Sequence, residues 1–443
     1  MAFVSIILAA GKGVRMKSDL PKVMHEVMHK PMISYVTDVC TKICDKKPIV
    51  VVGYGKESIM DFFGESAVYA EQKVQLGTAN AVLAALPHIG EDDDVLIVCA
   101  DTPLIKLETL KKMKDIKKDA EAVILTSVVS NPFGYGRIIK DEEGKFLRIT
   151  EEKDATSEER LISEVNSGVY IISAKALKNL YNVNSANKQG EYYLTDVFKT
   201  INSKTVCLKT DEKEILGVND RKSLALAGKY LREEKNDKLM SEGVTIIDPE
   251  NTYIEPEVKI GRDSIIYPGT HIMGKTVIGS HCTIRENTTV ENSIIHDNVN
   301  IKSSTLINAE VEENSNIGPY AYLRPNAHIG KNVKIGDFVE VKNSYIQDNS
   351  KASHLAYIGD ADIGKNVNIG CGVVFVNYDG KNKHRSKVSD NAFLGSNSNL
   401  VAPVNIAENA FIAAGSTVTV DVPENSLCVA RNREYIKEDW NKK

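Results

Sequence analysis

The chain has no apolar run near the ~20 residues that a membrane-spanning helix needs, and it has little surplus of either charge. A formal net charge of −5 over 443 residues is too weak to draw in nucleic acid or an anionic membrane. Cysteine is sparse and odd in number, seven in all, with no close-spaced even framework. Cys40 and Cys44 stand four apart with no Cys or His partner nearby, which disfavours both zinc and disulfides and fits reduced thiols in a cytoplasmic protein. The one tryptophan, Trp440, falls in a short polar tail. Residues 3–10 are apolar, but they lack a basic flank and run into Gly11-Lys12-Gly13 instead of a cleavage site. They read as a first buried strand, not a signal segment.

What is abundant is a repeat of six. Ile260, Ile266, Ile272, Ile278, Ile284 and Val290 keep one register. Val311, Ile317, Leu323, Ile329, Ile335 and Val341 keep a second, and Val388, Leu394, Leu400, Ile406, Ile412 and Val418 a third. Neither a helix of period about 3.6 nor a strand of period about 2 needs such spacing. Stacked turns of a solenoid do, because they share one continuous core. Gly follows the aliphatic residue in Ile278-Gly279, Ile317-Gly318, Ile335-Gly336, Ile363-Gly364 and Leu394-Gly395, where a sharp corner is expected. Residues 251–422 are therefore expected to form a parallel β-helix with flat sides. Between Phe375 and Val388 a stretch rich in Asn, Lys and Gly interrupts the repeat. A solenoid accommodates such an insertion only as a loop thrown outward from a corner, and such loops commonly carry function.

The chain is too long for one core, and its first half has a different grammar. Strands are expected at 4–8, 49–52, 95–99, 122–128 and 169–172, and helices at 32–43, 78–86 and 107–117. This alternation implies a mainly parallel sheet covered on both faces. Ligands bind such sheets beyond the carboxyl ends of the strands, which puts residues 9–15 and 100–103 at the mouth of one site. Around 220–242 the sequence turns helical and charged, with Leu224, Ala227, Tyr230 and Leu231 on one stripe, as in a helix packed on one side.

Gly11-Lys12-Gly13-Val14-Arg15-Met16 follows the first strand, with Pro21-Lys22 soon after. A Gly-rich turn opens backbone N–H groups to phosphate oxygens, and nearby cations neutralise them. It is not a P-loop, since no Lys-Ser/Thr pair follows, and Met16 stands where the dinucleotide fingerprint requires Gly. Taken alone, the motif is equally a tight strand–helix turn with solvated cations. Asp101, at the end of the strand 95–99 and beside this loop, is a natural Mg²⁺ ligand or else a cap of the next turn.

Further motifs narrow the choice: Gln75-Leu76-Gly77-Thr78, Gly134-Tyr135-Gly136-Arg137, Glu151-Glu152-Lys153-Asp154, Asn166-Ser167-Gly168 and Gly217-Val218-Asn219. The loop signature resembles that of sugar-nucleotide pyrophosphorylases. With these motifs, residues 3–433 closely resemble the bifunctional N-acetylglucosamine-1-phosphate uridyltransferase / glucosamine-1-phosphate N-acetyltransferases of bacteria. The resemblance implies an α/β nucleotidyltransferase (Rossmann-like) domain over 1–219 and a linker helix within 220–250. A left-handed parallel β-helix of hexapeptide repeats, with a C-terminal tail, would occupy 251–443. UTP and UDP-N-acetylglucosamine would be bound by Leu8, Ala9, Gly11, Lys22, Gln72, Gly77, Thr78, Gly136, Glu151, Asn166 and Asn219. Of these, Gln72, Gly77 and Thr78 would meet the uracil and Gly136, Glu151 and Asn166 the sugar. Arg15 and Lys22 would act as catalytic cations on the phosphates, and Asp101 with Asn219 would bind Mg²⁺.

In the second half a lone His or Tyr on a flat face is ordinarily just solvated. The stretches Ser353-His354-Leu355-Ala356-Tyr357 and Asn377-Tyr378-Asp379-Gly380, however, resemble the acetyltransferase half of the same family. That implies His354 as general base toward the amine of glucosamine 1-phosphate, work suited to imidazole near neutral pH. Arg324, Lys342, Tyr357, Asn368 and Lys383 would hold the sugar phosphate, where cationic donors are favoured. Cys371, Asn377, Tyr378, Ser396, Ala414 and Arg431 would lie along acetyl-CoA. The chain departs from the family in Val14 for Thr, Ala100 for Gly and Cys371 for Ala. The first two shape backbone; the Cys371 thiol lines a groove and is no acetyl relay, because direct attack by an amine needs no covalent intermediate. The resemblance further implies a cytoplasmic homotrimer whose product feeds peptidoglycan and other envelope polymers. Two rivals are a single-function nucleotidyltransferase with a merely oligomerising solenoid, and a non-catalytic scaffold. The first is opposed by His354 with Asn377, the second by the retained Arg15, Lys22 and Asp101.

Overall fold

The computed structural model describes residues 2–440. The chain divides into two compact units, the first reaching Leu231 and the second starting at Arg232. In the first unit the sheet runs, from one edge, Thr205–Thr210, Ala122–Val128, Glu164–Ser173, Asp94–Cys99, Phe3–Leu8, Ile49–Val52 and Val68–Glu71. Neighbours are parallel except where Glu164–Ser173 runs against both of its partners. Residues 169–172, expected as a short strand of a mainly parallel sheet, are thus the end of a ten-residue antiparallel strand. A hairpin of Arg137–Lys140 and Phe146–Thr150 pairs onto it at Val165.

The central strands are largely aliphatic because both faces are covered. Val4, Ile6, Val51, Val95 and Ile97 enter one core, and Phe3, Ile7, Val50, Leu96 and Val98 the other. This is the period-two alternation of a pleated strand divided between two interiors. Each fully buried Val or Ile contributes roughly 1.5–3 kcal/mol. Ile33, Val36 and Cys40 of the helix Met32–Ile43, with Leu110 and Met113 of Leu107–Ile116, cover one face. Ala79, Val82 and Ala85 of Thr78–Ala85 cover the other. The division between the units falls within the helix Arg221–Ser241. Leu224, Ala227, Tyr230 and Leu231 pack with Val27, Met32 and Leu104 of the first unit, while Leu239 and Met240 join the core of the second.

The second unit is a solenoid of short parallel strands beginning at Thr245–Ile246. Ile260 stacks on Ile278 and Ile266 on Ile284, so one coil takes three hexads and has three flat sides. Every aliphatic position of the three sequence registers lies in one buried cluster. The corners differ from expectation. Among the five glycines that follow aliphatic residues, only Gly318 has a positive φ, 96°. Gly336 instead faces the next coil so closely that an added Cβ would lie 1.8 Å from the Ser353 carbonyl oxygen, and Gly279, Gly364 and Gly395 are similarly crowded. Most left-handed corners belong to asparagine, among them Asn287, Asn298, Asn314, Asn332, Asn349 and Asn366. Its short polar side chain makes that conformation tolerable outside glycine. The insertion forms a small loop bridged between Tyr378 and Lys383. No helix among the described residues is long and apolar enough to cross a membrane.

Candidate active sites

A cleft of about 360 Å³ opens where Phe3–Leu8 and Asp94–Cys99 end, lined by Leu8, Ala9, Gly11, Lys22, Gln72, Gly77, Thr78 and Asp101 with Gln75, Cys99 and Glu191. The two strand ends are stitched by Ala100 N–H donating to Leu8 O at 3.1 Å. Gly13, with φ of 60°, packs so tightly on Lys22 that a Cβ would come within 2.5 Å of the lysine Cβ. That contact folds the loop over Lys22. Gly77, with φ of 115°, opens the helix Thr78–Ala85 beneath the Tyr192 backbone. Gln72 is buried and donates to Gly77 O and Asn80 Oδ1, each at 3.0 Å, while Gln75 donates to Ala10 O across the cleft floor. Arg15 stands exposed on the turn Val14–Met16 and is not among the residues lining the cleft.

Lys22 Nζ pairs closely with Asp101 Oδ2 and lies 3.3 Å from Asn219 Oδ1. An ammonium between a carboxylate and an amide oxygen marks where two hard donors converge on one cation. Val218 N–H donates to Asp101 O at 2.8 Å, which holds the segment carrying Asn219 against Asp101. This donor set fits Mg²⁺, which takes one or two protein oxygens and draws the rest from substrate and water. Among the described residues no cluster of three or more His, Cys, Asp or Glu is arranged for a metal.

Gly136, Glu151 and Asn166 meet in a second group. A Cβ on Gly136 would lie 3.4 Å from Glu151 Oε2 and 3.6 Å from Asn166 Cβ, and Asn166 N–H donates to Gly136 O at 2.9 Å. Asn166 owes its place to a break in register in Glu164–Ser173 between Asn166 and Tyr170. Gly168 takes φ of 78° there, and its N–H donates to Asn166 Oδ1 at 3.2 Å. A bulge of this kind re-aims one side chain. Burial pushes the Glu151 carboxyl upward, partly offset by the Thr195 hydroxyl donating at 3.0 Å. Glu151 also lines a pocket of about 280 Å³ with Asp154, Tyr193, Thr195, Asp196 and Lys199. Behind these loops the buried Arg137 guanidinium pairs with Glu152 at 2.8 Å and donates to Tyr135 O. It thereby ties the Gly134–Gly136 turn to the Glu151-Glu152 turn.

In the solenoid, Lys334–Lys342 and Lys351–Gly359 lie side by side, with Asp337 opposite His354, Glu340 opposite Tyr357 and Lys342 opposite Gly359. Arg324 pairs with Glu340 at 2.8 Å. Asp360 gathers Asn343 and Asn377 through their side-chain amides and lies 4.0 Å from Lys342 Nζ. Burial alone would raise the Asp360 carboxyl, but those amides and Lys342 outweigh it and hold it below its ordinary range. Lys342 lowers the proton affinity of the adjacent Lys383, as two cations brought together must. Asn377 also lies 3.5 Å from the Tyr357 hydroxyl. Arg385 grips Asp362 and donates to Asn343 O at 2.8 Å, anchoring the far end of the loop that carries Lys383. Asn368 pairs across the sheet with Lys351, and Cys371 is exposed. Arg431 donates to Ala414 O at 2.9 Å, and Ser396 O accepts from Gly415 N–H at 2.8 Å.

Residues 5–158 match the MobA-like NTP transferase domain, 257–292 the bacterial transferase hexapeptide repeats, and 308–382 the GMPPB C-terminal domain. Over its full length the chain is 52% identical to the "Bifunctional protein GlmU" of Clostridioides difficile (strain 630), covering 98% of that protein. Across 99% of both chains it is 51% identical to the protein of that name from Carboxydothermus hydrogenoformans. With that of Geobacillus sp. (strain WCH70) it shares 49% over 98% of this chain and 97% of the relative.

The chain belongs to the GlmU family. It joins a nucleotidyltransferase domain to a left-handed parallel β-helix of hexapeptide repeats, and like its relatives it is bifunctional. Within that frame, several groups that touch the expected GlmU-family site residues carry no motif signal of their own. Asp337 and Glu340 become visible only through coil stacking, because each acts on a residue of a neighbouring coil, His354 and Arg324; Arg385 acts at one remove, tying the loop of Lys383 to Asp362 and Asn343. Gln75 lies within the stretch Gln75–Thr78 and Asp360 three residues beyond Tyr357, but their partners, the Ala10 carbonyl and Asn377, are set only by the fold.

Proposed function

We propose that the chain makes UDP-N-acetylglucosamine in two steps, acetylating glucosamine 1-phosphate from acetyl-CoA and then joining the product to UMP from UTP. The observation that carries this reading is one polypeptide holding a cleft at strand ends lined by Lys22 and Asp101, and a hexapeptide solenoid that gathers Lys342, Lys383 and Asn377 around Asp360, just beyond the strand that carries His354. In the first step the amine nitrogen of the sugar attacks the thioester carbonyl, His354 takes the proton, and the C–S bond breaks to release CoA thiol. Arg324, Lys342 and Lys383, with Tyr357 and Asn368, grip the sugar phosphate by charge-assisted bonds. Asn377, Tyr378, Cys371, Ser396, Ala414 and Arg431 lie along acetyl-CoA.

In the second step a phosphate oxygen of N-acetylglucosamine 1-phosphate attacks the α-phosphorus of UTP in line, and pyrophosphate leaves. Leu8, Ala9, Gly11, Gln72, Gly77 and Thr78 seat the nucleotide, while Gly136, Glu151 and Asn166 seat the sugar. Arg15 and Lys22 neutralise charge developing on the phosphates. Asp101 and Asn219 hold Mg²⁺, which when bound supplies further neutralisation of the same oxygens.

We assign uridyl transfer to residues 1–219, acetyl transfer to 251–443 and the linker to 220–250. The working form is a cytoplasmic homotrimer, and the product feeds peptidoglycan and other envelope polymers. The deciding experiment follows CoA thiol released with glucosamine 1-phosphate, and pyrophosphate released from UTP with N-acetylglucosamine 1-phosphate. Both releases are expected, and the first collapses in His354→Ala. Folded protein that releases pyrophosphate but no thiol would reduce the solenoid to an oligomerising device.

A further inference from the structure

We propose that Asp337 is a positioning residue for acetyl transfer: its carboxylate fixes His354 as the Nδ1–H tautomer and reserves Nε2 as the base. The inference rests on the reading of His354 as that base. Asp337 Oδ1 lies 2.6 Å from His354 Nδ1. Hydrogen bonding to His354, chiefly, holds the Asp337 carboxyl below its ordinary range against the opposing effect of desolvation. An ionised carboxylate only accepts, so the shared proton belongs to Nδ1, and a neutral ring with one protonated nitrogen presents the other as a lone pair.

The pairing is built by the coils. Asp337 and His354 stand directly opposite in the parallel strands Lys334–Lys342 and Lys351–Gly359. Just before them, Gly336 lets the backbones close until no Cβ would fit against Ser353. Just after them, Phe338 (φ 57°) and Leu355 (φ 36°) both turn left-handed. The acid and the base therefore occupy the same last position before one corner on successive coils. Glu340, the other carboxylate on that strand segment, is occupied by Arg324 at 2.8 Å.

During the reaction Nε2 accepts a proton from the amine as the N–C bond forms at the acetyl carbonyl. The C–S bond breaks, its electron pair leaves on sulfur, and Nε2–H returns the proton to give CoA thiol and neutral imidazole. Asp337 stays ionised throughout. It holds the ring in the productive tautomer and stabilises the transient imidazolium, as a carboxylate behind a catalytic imidazole does in other enzymes.

Full-length parent, Asp337→Ala and His354→Ala proteins are compared in steady-state thiol release, and the first two also by ¹⁵N NMR of histidine-labelled protein above pH 7.5. In Asp337→Ala, kcat for acetyl transfer is expected to fall ~10–100-fold, with both KM values within about twofold of parent and pyrophosphate release unchanged. The parent spectrum should show His354 protonated at Nδ1, and the variant should lose that signature. An unchanged kcat, a loss confined to KM, or a parent His354 protonated at Nε2 would overturn the assignment. If His354→Ala keeps full acetyl transfer, the base reading itself fails and the dyad with it. If that variant is inactive while Asp337→Ala matches parent, only the dyad fails.

Discussion

Asn377 donates its side-chain amide to Asp360, and this bond fastens the near end of the loop that interrupts the hexad repeat to the preceding coil. Asp360 also takes the Asn343 amide and faces Lys342, so one nearly buried carboxylate organises both ends of the proposed phosphate grip.

Asp360→Ala should therefore raise KM for glucosamine 1-phosphate by ~10-fold or more, since charge-assisted bonds weaken when their frame moves, and leave uridyl transfer intact. The folded Asp360 titrates below the ordinary value of ~3.9. Its contribution is complete above that value and disappears as pH falls through the folded one. Thermal melting of the second unit should weaken below about pH 4, and Asp360→Ala should remove part of that acid sensitivity.

Gly336→Ala places a methyl group where 1.8 Å separates it from the Ser353 oxygen. Backbone cannot yield as a flexible side chain would, so the coil is expected to lose roughly 3 kcal/mol. Urea unfolding of the second unit and thiol release read this together. Both should suffer, while pyrophosphate release persists.

Asp101→Ala removes the carboxylate that meets Lys22. Uridyl transfer should drop ~100-fold or more, and acetyl transfer should continue. Pyrophosphate release that survives intact would refute the metal assignment.

Glu151 has its pKa raised by burial, so its ionised form costs the fold energy above that pKa and costs nothing below the unfolded value. Glu151→Gln keeps the acceptor for Thr195 and removes the penalty. The first unit should melt roughly 2 °C higher at pH 7.5 and gain less at pH 4.5. In exchange, KM for N-acetylglucosamine 1-phosphate should rise, a stability gain set against function.

The hexad register was readable from residues alone because a solenoid repeats one local decision, an aliphatic side chain pointing inward, and each Ile or Val declares it independently. The strand ends were readable for a similar reason: runs such as 95–98 and 122–125 are buried on both faces and are wholly apolar. The loop 9–15, Gly77, Thr78 and Asp101 could be nominated from short motifs, and Gln72 only through the family resemblance.

Other features depend on neighbours far away in sequence. The glycines that follow aliphatic residues look like corners on paper, yet Gly336 is demanded by Ser353 of the next coil, and asparagine makes most of the turns. The antiparallel strand Glu164–Ser173 and its bulge at Asn166 depend on pairing with Ala122–Val128. Asp337 carries no motif at all; only a coil of fixed length sets it opposite His354. The sequence by itself determined the repeat, the two unlike halves and the residue types available for chemistry, because those follow from local periodicity and composition. Tertiary structure alone decided which carboxylate meets which base and which glycine meets which carbonyl, because those contacts join residues that only stacking and sheet pairing bring within hydrogen-bond reach.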